Sequence, residues 1–146
     1  NAALLAGLPI VERHPHVFVP QYAAPGRDAA VAQQNIDLQF RNPFPWPLRI
    51  RARVEGDRLE VRLFGARRPT ARVRLETRLL DRTDPLRLTR VARGARRAYL
   101  RSPGVPGCRA ATTRVFFEEG REVRREPLSD DTYESMNRVV MVADPR

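Results

Sequence analysis

The chain has 146 residues, a formal net charge of +10 and a hydrophobic fraction of 42%, which bounds it to one compact domain or a domain with a small appended module. No apolar run reaches the roughly 20 residues of a membrane-spanning helix, and a single cysteine, Cys108, excludes an internal disulfide or a multi-cysteine metal site. All basic residues are arginine, a bias that points to coding composition and weakens the charge as evidence for a nucleic-acid partner.

In chain order, the stretch Asn1-Ala2-Ala3-Leu4-Leu5-Ala6-Gly7-Leu8 has helical spacing at Leu4, Leu5 and Leu8. It starts without a cap and is ended by Gly7 and Pro9, so it reads as the end of a longer helix. Ile10 and Val11 lead into Glu12-Arg13-His14-Pro15-His16, which holds both histidines of the chain. Val17-Phe18-Val19 favours extended backbone, but Pro15 and Pro20 remove donors on either side, which predicts an edge strand or an ordered loop. Pro25-Gly26-Arg27-Asp28 is turn chemistry that would hold Arg27 and Asp28 in place. Ile36, Leu38 and Phe40 alternate with Asp37, Gln39 and Arg41 as in a half-buried strand, and a rigid break, Asn42-Pro43-Phe44-Pro45-Trp46-Pro47, follows.

The clearest pattern is a hairpin. Leu48, Ile50, Ala52 and Val54 alternate with Arg49, Arg51 and Arg53; Glu55-Gly56-Asp57 turns; Leu59, Val61 and Leu63 alternate with Arg58, Glu60 and Arg62. A third strand over 71–79, with Val73 and Leu75 inward, would continue it as an antiparallel meander with Arg49, Arg51, Arg53, Arg62, Arg72 and Arg74 on one face. Residues 81–102 read as a mostly extended connection. The tail predicts a small three-stranded module, in which Thr113–Phe117 pairs across the turn Glu118-Glu119-Gly120-Arg121 with Glu122–Glu126 and Val139–Val142 is the third strand. The expected fold class is mainly β, α+β only through the short N-terminal helix, with 1–80 as core, 81–102 as connection and 103–146 as the β module.

The helical stretch running into Glu12–His16, then Pro25–Ala29 and Asp37–Asn42, resembles the VanW-like family of bacterial envelope proteins, named from an accessory gene of a vancomycin-resistance cluster and without a settled activity. The resemblance covers about Asn1 to Gly65. It implies an extracytoplasmic, peptidoglycan-associated protein. The family pattern also carries a cysteine in a glycine-rich segment before the helix, an arrangement similar to papain-like and transglutaminase-like sites. That segment lies outside this chain, so the missing N-terminal portion of the same protein is an implied partner. The tail from Gly104 to Val142 looks like a G5-type β module.

On this reading His14, His16 and Asp28 are the candidate catalytic residues, one imidazole as base and Asp28 as its orienting group, for thiol-based acyl transfer or peptide hydrolysis. Arg13 and Arg27 are candidate binders of a substrate carboxylate. The alternatives are histidines bonded to loop carbonyls and an Arg27–Asp28 pair that fixes the turn. Metal binding is disfavoured by Pro15 and the lack of a third ligand, and no cofactor is expected. The second functional class is a non-catalytic module that holds peptidoglycan or another anionic wall polymer through the arginine face. The aromatics lie on the apolar side and in the proline-rich break and are not interleaved with arginines, which disfavours base stacking.

Overall fold

A computed structural model describes residues 1–33 and 35–144. The chain is mainly β: after the helix α1 (Ala2–Leu5) come β1 (Ile10–Glu12), β2 (Gln39–Phe40), β3 (Arg49–Glu55), β4 (Arg58–Phe64), β5 (Arg72–Thr83), β6 (Arg87–Ala92), β7 (Tyr99–Val105), β8 (Gly107–Glu118), β9 (Arg121–Tyr133) and β10 (Met136–Ala143). They form four small sheets, ordered β1-β2, β3-β4, β5-β8-β9 and β6-β10-β7.

The β3–β4 hairpin has the expected register, Arg49 opposite Phe64 through to Glu55 opposite Arg58, closed by Gly56-Asp57. The β8–β9 hairpin closes through Glu119 and Gly120, both with positive φ. A two-residue loop with that backbone matches the twist of the flanking strands.

The third strand does not extend the first hairpin into a meander. β5 pairs instead with β8, Val73 opposite Phe116 and Leu75 opposite Arg114. This also splits the expected arginine face: Arg49, Arg51, Arg53 and Arg62 stand on the β3–β4 ribbon, Arg72 and Arg74 on another sheet. Period-two patterning sets which side chains share a face, and it is silent about which strand lies alongside. Residues 81–102 contain the end of β5, all of β6 and the start of β7. The apolar run at 139–142 joins these strands, in parallel to β6 (Val139 opposite Leu88) and antiparallel to β7 (Val139 opposite Ser102). Of the alternating segment Ile36–Arg41 only Gln39 and Phe40 are strand, because Ile36 is 38% exposed and pairs through a single bridge to Ala32. Val17–Val19 is loop.

β8 is the central strand, and one of its faces receives the N-terminal segment. Ala110, Thr112, Arg114 and Phe116 are buried on that face, with Leu4 and Leu8 buried against it. The buried Arg114 donates from Nη1 to the Leu8 carbonyl (2.8 Å) and the Leu4 carbonyl (3.3 Å), and from Nε to Glu126 (2.6 Å). The Leu4 carbonyl also accepts from the Gly7 amide (3.2 Å), so the guanidinium adds a second bond at the helix end, takes up the Leu8 carbonyl just beyond it, and keeps its own charge paired. Further along β8, Gly26 sits on Thr112, and at the far end the Glu134 amide donates to the Val17 carbonyl (2.7 Å). The histidine segment and the Asp28 turn are thereby laid across the β8–β9 hairpin.

Among the described residues no helix is long and apolar enough to cross a membrane, which says nothing of β-barrels.

Candidate functional site

The turn at Pro25-Gly26 forms as its sequence dictates. The Arg27 amide donates to the Ala24 carbonyl (3.1 Å), and Gly26 adopts φ +79°, the geometry of a turn with Pro and Gly at its centre. The Gly26 amide donates to the Tyr133 hydroxyl (2.7 Å). This places Asp28, only 1% exposed, directly over Tyr133 at the end of β9.

Asp28 is the centre of the site. Its Oδ1 accepts from the Tyr133 hydroxyl (2.5 Å) and from Arg13 Nη2 (3.3 Å); its Oδ2 accepts from the His16 amide (2.8 Å) and His16 Nδ1 (2.8 Å). Burial alone would push this carboxyl up. The Tyr133 hydroxyl, then the amide and ring of His16, outweigh it and hold Asp28 below its usual range. The same pairing acts oppositely on Tyr133, whose phenol is pushed up by burial and by its bond to Asp28.

Arg13 ties this carboxylate to a second one. Its Nε donates to the Asp28 carbonyl (2.6 Å), and its Nη1 reaches both oxygens of Asp131 (3.1 and 2.9 Å), which also accepts from Ser129 Oγ (2.9 Å). With side chains only 10% and 8% exposed, Arg13 and Asp131 form a largely desolvated pair. Its worth lies in fixing geometry: a buried pair gains little net stability, but losing one partner leaves the other charge stranded.

The two histidines are separated by their partners. His16 is the imidazole on Asp28. Its bonded nitrogen is Nδ1, so Nε2 points away from the carboxylate, and its side chain is 37% exposed. The Tyr22 ring stands edge-on to it at 5.9 Å. His14 instead faces Glu12 through Nε2 (2.9 Å) and gives its carbonyl to the Ala30 amide (2.8 Å). Arg27 does not pair with Asp28; its Nη2 donates to the Leu75 carbonyl (2.8 Å), while its Nε is buried without a partner. Cys108 lies on β8 with its thiol pushed up by burial, which disfavours the thiolate. No group of three His, Cys, Asp or Glu able to hold a metal occurs among the described residues.

Tyr133 and Asp131, with Ser129 bonded to the latter, escape a reading by motif, since the bonds of Tyr133 to Asp28 and of Asp131 to Arg13 span more than a hundred residues. The available signal is periodicity. Ser129, Asp131 and Tyr133 alternate along β9, so three polar groups share one face of a strand.

Fold and site together define a mainly β chain whose N-terminal segment is pinned to a three-stranded sheet by a buried Asp-His-Arg-Tyr network. Residues 1–64 match the family model described as VanW like protein. Arg13, His14, His16 and Asp28 lie inside the match; Asp131 and Tyr133 lie outside it. The chain is 38% identical over 66 residues to the uncharacterized protein YoaR of Bacillus subtilis (strain 168), covering 45% of this chain and 22% of that relative. Two solved structures are similar in outline. One, titled IgA1 Protease G5 domain structure, has a TM-score of 0.35 at 20% identity, over 56% of this chain and 98% of that one. The other, the crystal structure of HP0197-G5, has a TM-score of 0.25 at 17% identity, over 50% and 95%. Likeness at those scores fixes neither the topology of the tail nor its function.

Proposed function

We propose that the chain belongs to a bacterial cell-envelope protein acting on or beside peptidoglycan, in which His16, oriented by Asp28, accepts the proton in thiol-based acyl transfer or peptide hydrolysis. The carrying observation is the bond from His16 Nδ1 to Asp28 Oδ2. A buried carboxylate on Nδ1 fixes the ring and leaves Nε2 as the proton acceptor. The thiol in this proposal belongs to the cysteine segment that the family resemblance implies upstream of α1. Its proton passes to Nε2, the thiolate adds to a peptide carbonyl, the amine leaves with that proton, and water or a second amine releases the acyl group. Arg13 is a positioning residue here, since its guanidinium is committed to Asp28 and Asp131, and Arg27 anchors the turn to β5. The division into a VanW-like part over 1–80 and a β module over 103–146 belongs to the same proposal.

The native full-length protein, assayed for products released from purified peptidoglycan, tests this. His16→Ala is expected to cost about 10²- to 10⁴-fold in turnover, the usual contribution of a general base, beyond a stability loss of about 1–3 kcal/mol from the bond withdrawn from buried Asp28, with His14→Ala close to wild type. In the chain itself, nitrogen NMR of the His16 ring is expected to show the proton on Nδ1. Full turnover by His16→Ala would end the catalytic reading.

One observation favours a second reading, a module that holds an anionic wall polymer. Arg51 and Arg62 stand directly opposite each other on the β3–β4 ribbon, and like charges in that position are destabilising without a counter-charge. Glu60 supplies one to Arg62 (2.7 Å). A polyanion laid across Arg49 and Arg51 would supply more. Binding to purified wall material is then expected to weaken several-fold between low and physiological salt and nearly vanish at about 1 M, where screening acts within about 3 Å. Binding that persists undiminished at high salt would rule this reading out.

A further inference from the structure

A cavity of about 390 Å³ lies between α1, the proline-rich break, the end of β4 and the start of β5, within the range of about 300–1,000 Å³ typical of ligand pockets. Its walls are aliphatic, with Leu5, Leu8, Leu48, Leu63 and Val73 turned towards it. Leu5 is 51% exposed and the neighbouring Phe64 44% exposed, so apolar surface faces open space there. Phe44 and Trp46 form one side, stacked with ring centres 5.3 Å apart and planes 4° from parallel. Trp46 is held by Gly65: a Cβ built there would lie 3.2 Å from the indole nitrogen, which is buried without a hydrogen-bond partner.

Apart from the indole N–H of Trp46, every polar side chain lining this cavity is an arginine: Arg67, Arg68 and Arg72. Arg67 lies 5.8 Å over the Trp46 ring. Among the described residues none of the three has a carboxylate within ion-pair distance, whereas Arg13, Arg74, Arg109, Arg114 and Arg125 all do. A neutral sugar needs carboxylates or amides to receive its hydroxyl protons, and the lining has none. An apolar interior with only cations around it complements a ligand with an apolar body and an anionic head.

We propose that this cavity binds one aliphatic chain of an anionic amphiphile, that chain against Leu5, Leu63 and the Phe44–Trp46 pair and the phosphate or carboxylate head at Arg67, Arg68 and Arg72. Head and tail of this chemistry are offered both by a free alkyl phosphate and by an anionic lipid at a bilayer surface. The site is separate from the Asp28 network and independent of the function proposed above.

Trp46 is the only tryptophan of the chain, so its emission reports this site alone. The chain is titrated with dodecyl phosphate below its micelle concentration, and in parallel with dodecyl maltoside and dodecyltrimethylammonium. Vesicles of phosphatidylglycerol and of phosphatidylcholine form a second pair. A saturable emission change is expected with dodecyl phosphate, with an affinity at least about tenfold tighter than for the neutral or cationic head, a free-energy difference of ordinary size for a paired charge. The double variant Arg67→Glu/Arg68→Glu, at two exposed positions, is expected to weaken it at least tenfold with circular dichroism unchanged. A change with phosphatidylglycerol vesicles alone, lost in the same variant, supports the site with the bilayer as its source. Equal response to all three head groups, full affinity in the variant, or no saturable change with any anionic probe overturns the proposal.

Discussion

Asp28→Asn is expected to lower the stability of the chain by about 3–5 kcal/mol, the usual consequence of removing one partner from a buried ionic network. The carboxylate takes four bonds, from Tyr133, Arg13 and both the amide and the ring of His16. An amide can accept at only one of the two oxygen positions and presents donors at the other, so two of those donors are left facing N–H groups in a desolvated site. The measurement is a urea denaturation midpoint. Asp130→Asn makes the control, since its pair with Arg109 is solvent-exposed and such pairs contribute little.

The same residue gives a pH dependence of definite sign. The hydrogen bonds hold folded Asp28 below the ordinary aspartate value, about 3.9 in an unfolded chain. Its contribution is therefore complete above about pH 4 and is lost as pH falls through that value towards the depressed folded one. Acidification from pH 7 to pH 3 should cost wild type more stability than Asp28→Asn. Equal loss in both would mean that the carboxylate is not the group titrating.

Gly26→Ala is the second large effect, expected at about 3 kcal/mol or more. Two causes add. A left-handed backbone at φ +79° costs an alanine about 1–2 kcal/mol, and the new Cβ would lie 1.9 Å from Thr112 Oγ1. Thr112 is 1% exposed and its hydroxyl is bonded to Thr77 (3.1 Å), so relief requires the turn to lift from β8, at the usual cost of overpacking, about 1–3 kcal/mol. Lifting the turn also draws the Gly26 amide from Tyr133 and loosens Asp28. In a Thr112→Ala background the same substitution should cost measurably less, because the clash shrinks while the backbone strain stays. Additive effects of the two substitutions would show that the turn is not seated on Thr112.

How far the site could be read in advance follows from the range of its contacts. His14, His16, Arg13, Arg27 and Asp28 fall within sixteen residues of one another, and a segment with proline and glycine breaks brings such groups together by local turns. That neighbourhood was legible, and the fold does place Arg13, His16 and Asp28 in one network. The choice between the histidines was not, because Pro15 flanked by two similar residues gives no preference. The hydrogen bond from the His16 amide to Asp28 decides it by setting His16 against the carboxylate and leaving His14 to Glu12.

By itself the sequence determined that the chain is mainly β, where its two tight hairpins turn, which side chains of each strand share a face, and that the chemistry-bearing groups gather near residues 12–28. All of these are local properties, set by the period-two pleat and by turn residues. The tertiary structure alone decided that β5 leaves the first hairpin for β8, that β10 runs parallel to β6, and that Tyr133 and Asp131 close the site from the other end of the chain. Strand patterning carries no label for its neighbour. Those choices are made when the buried faces of distant segments compete for one another in the folded core.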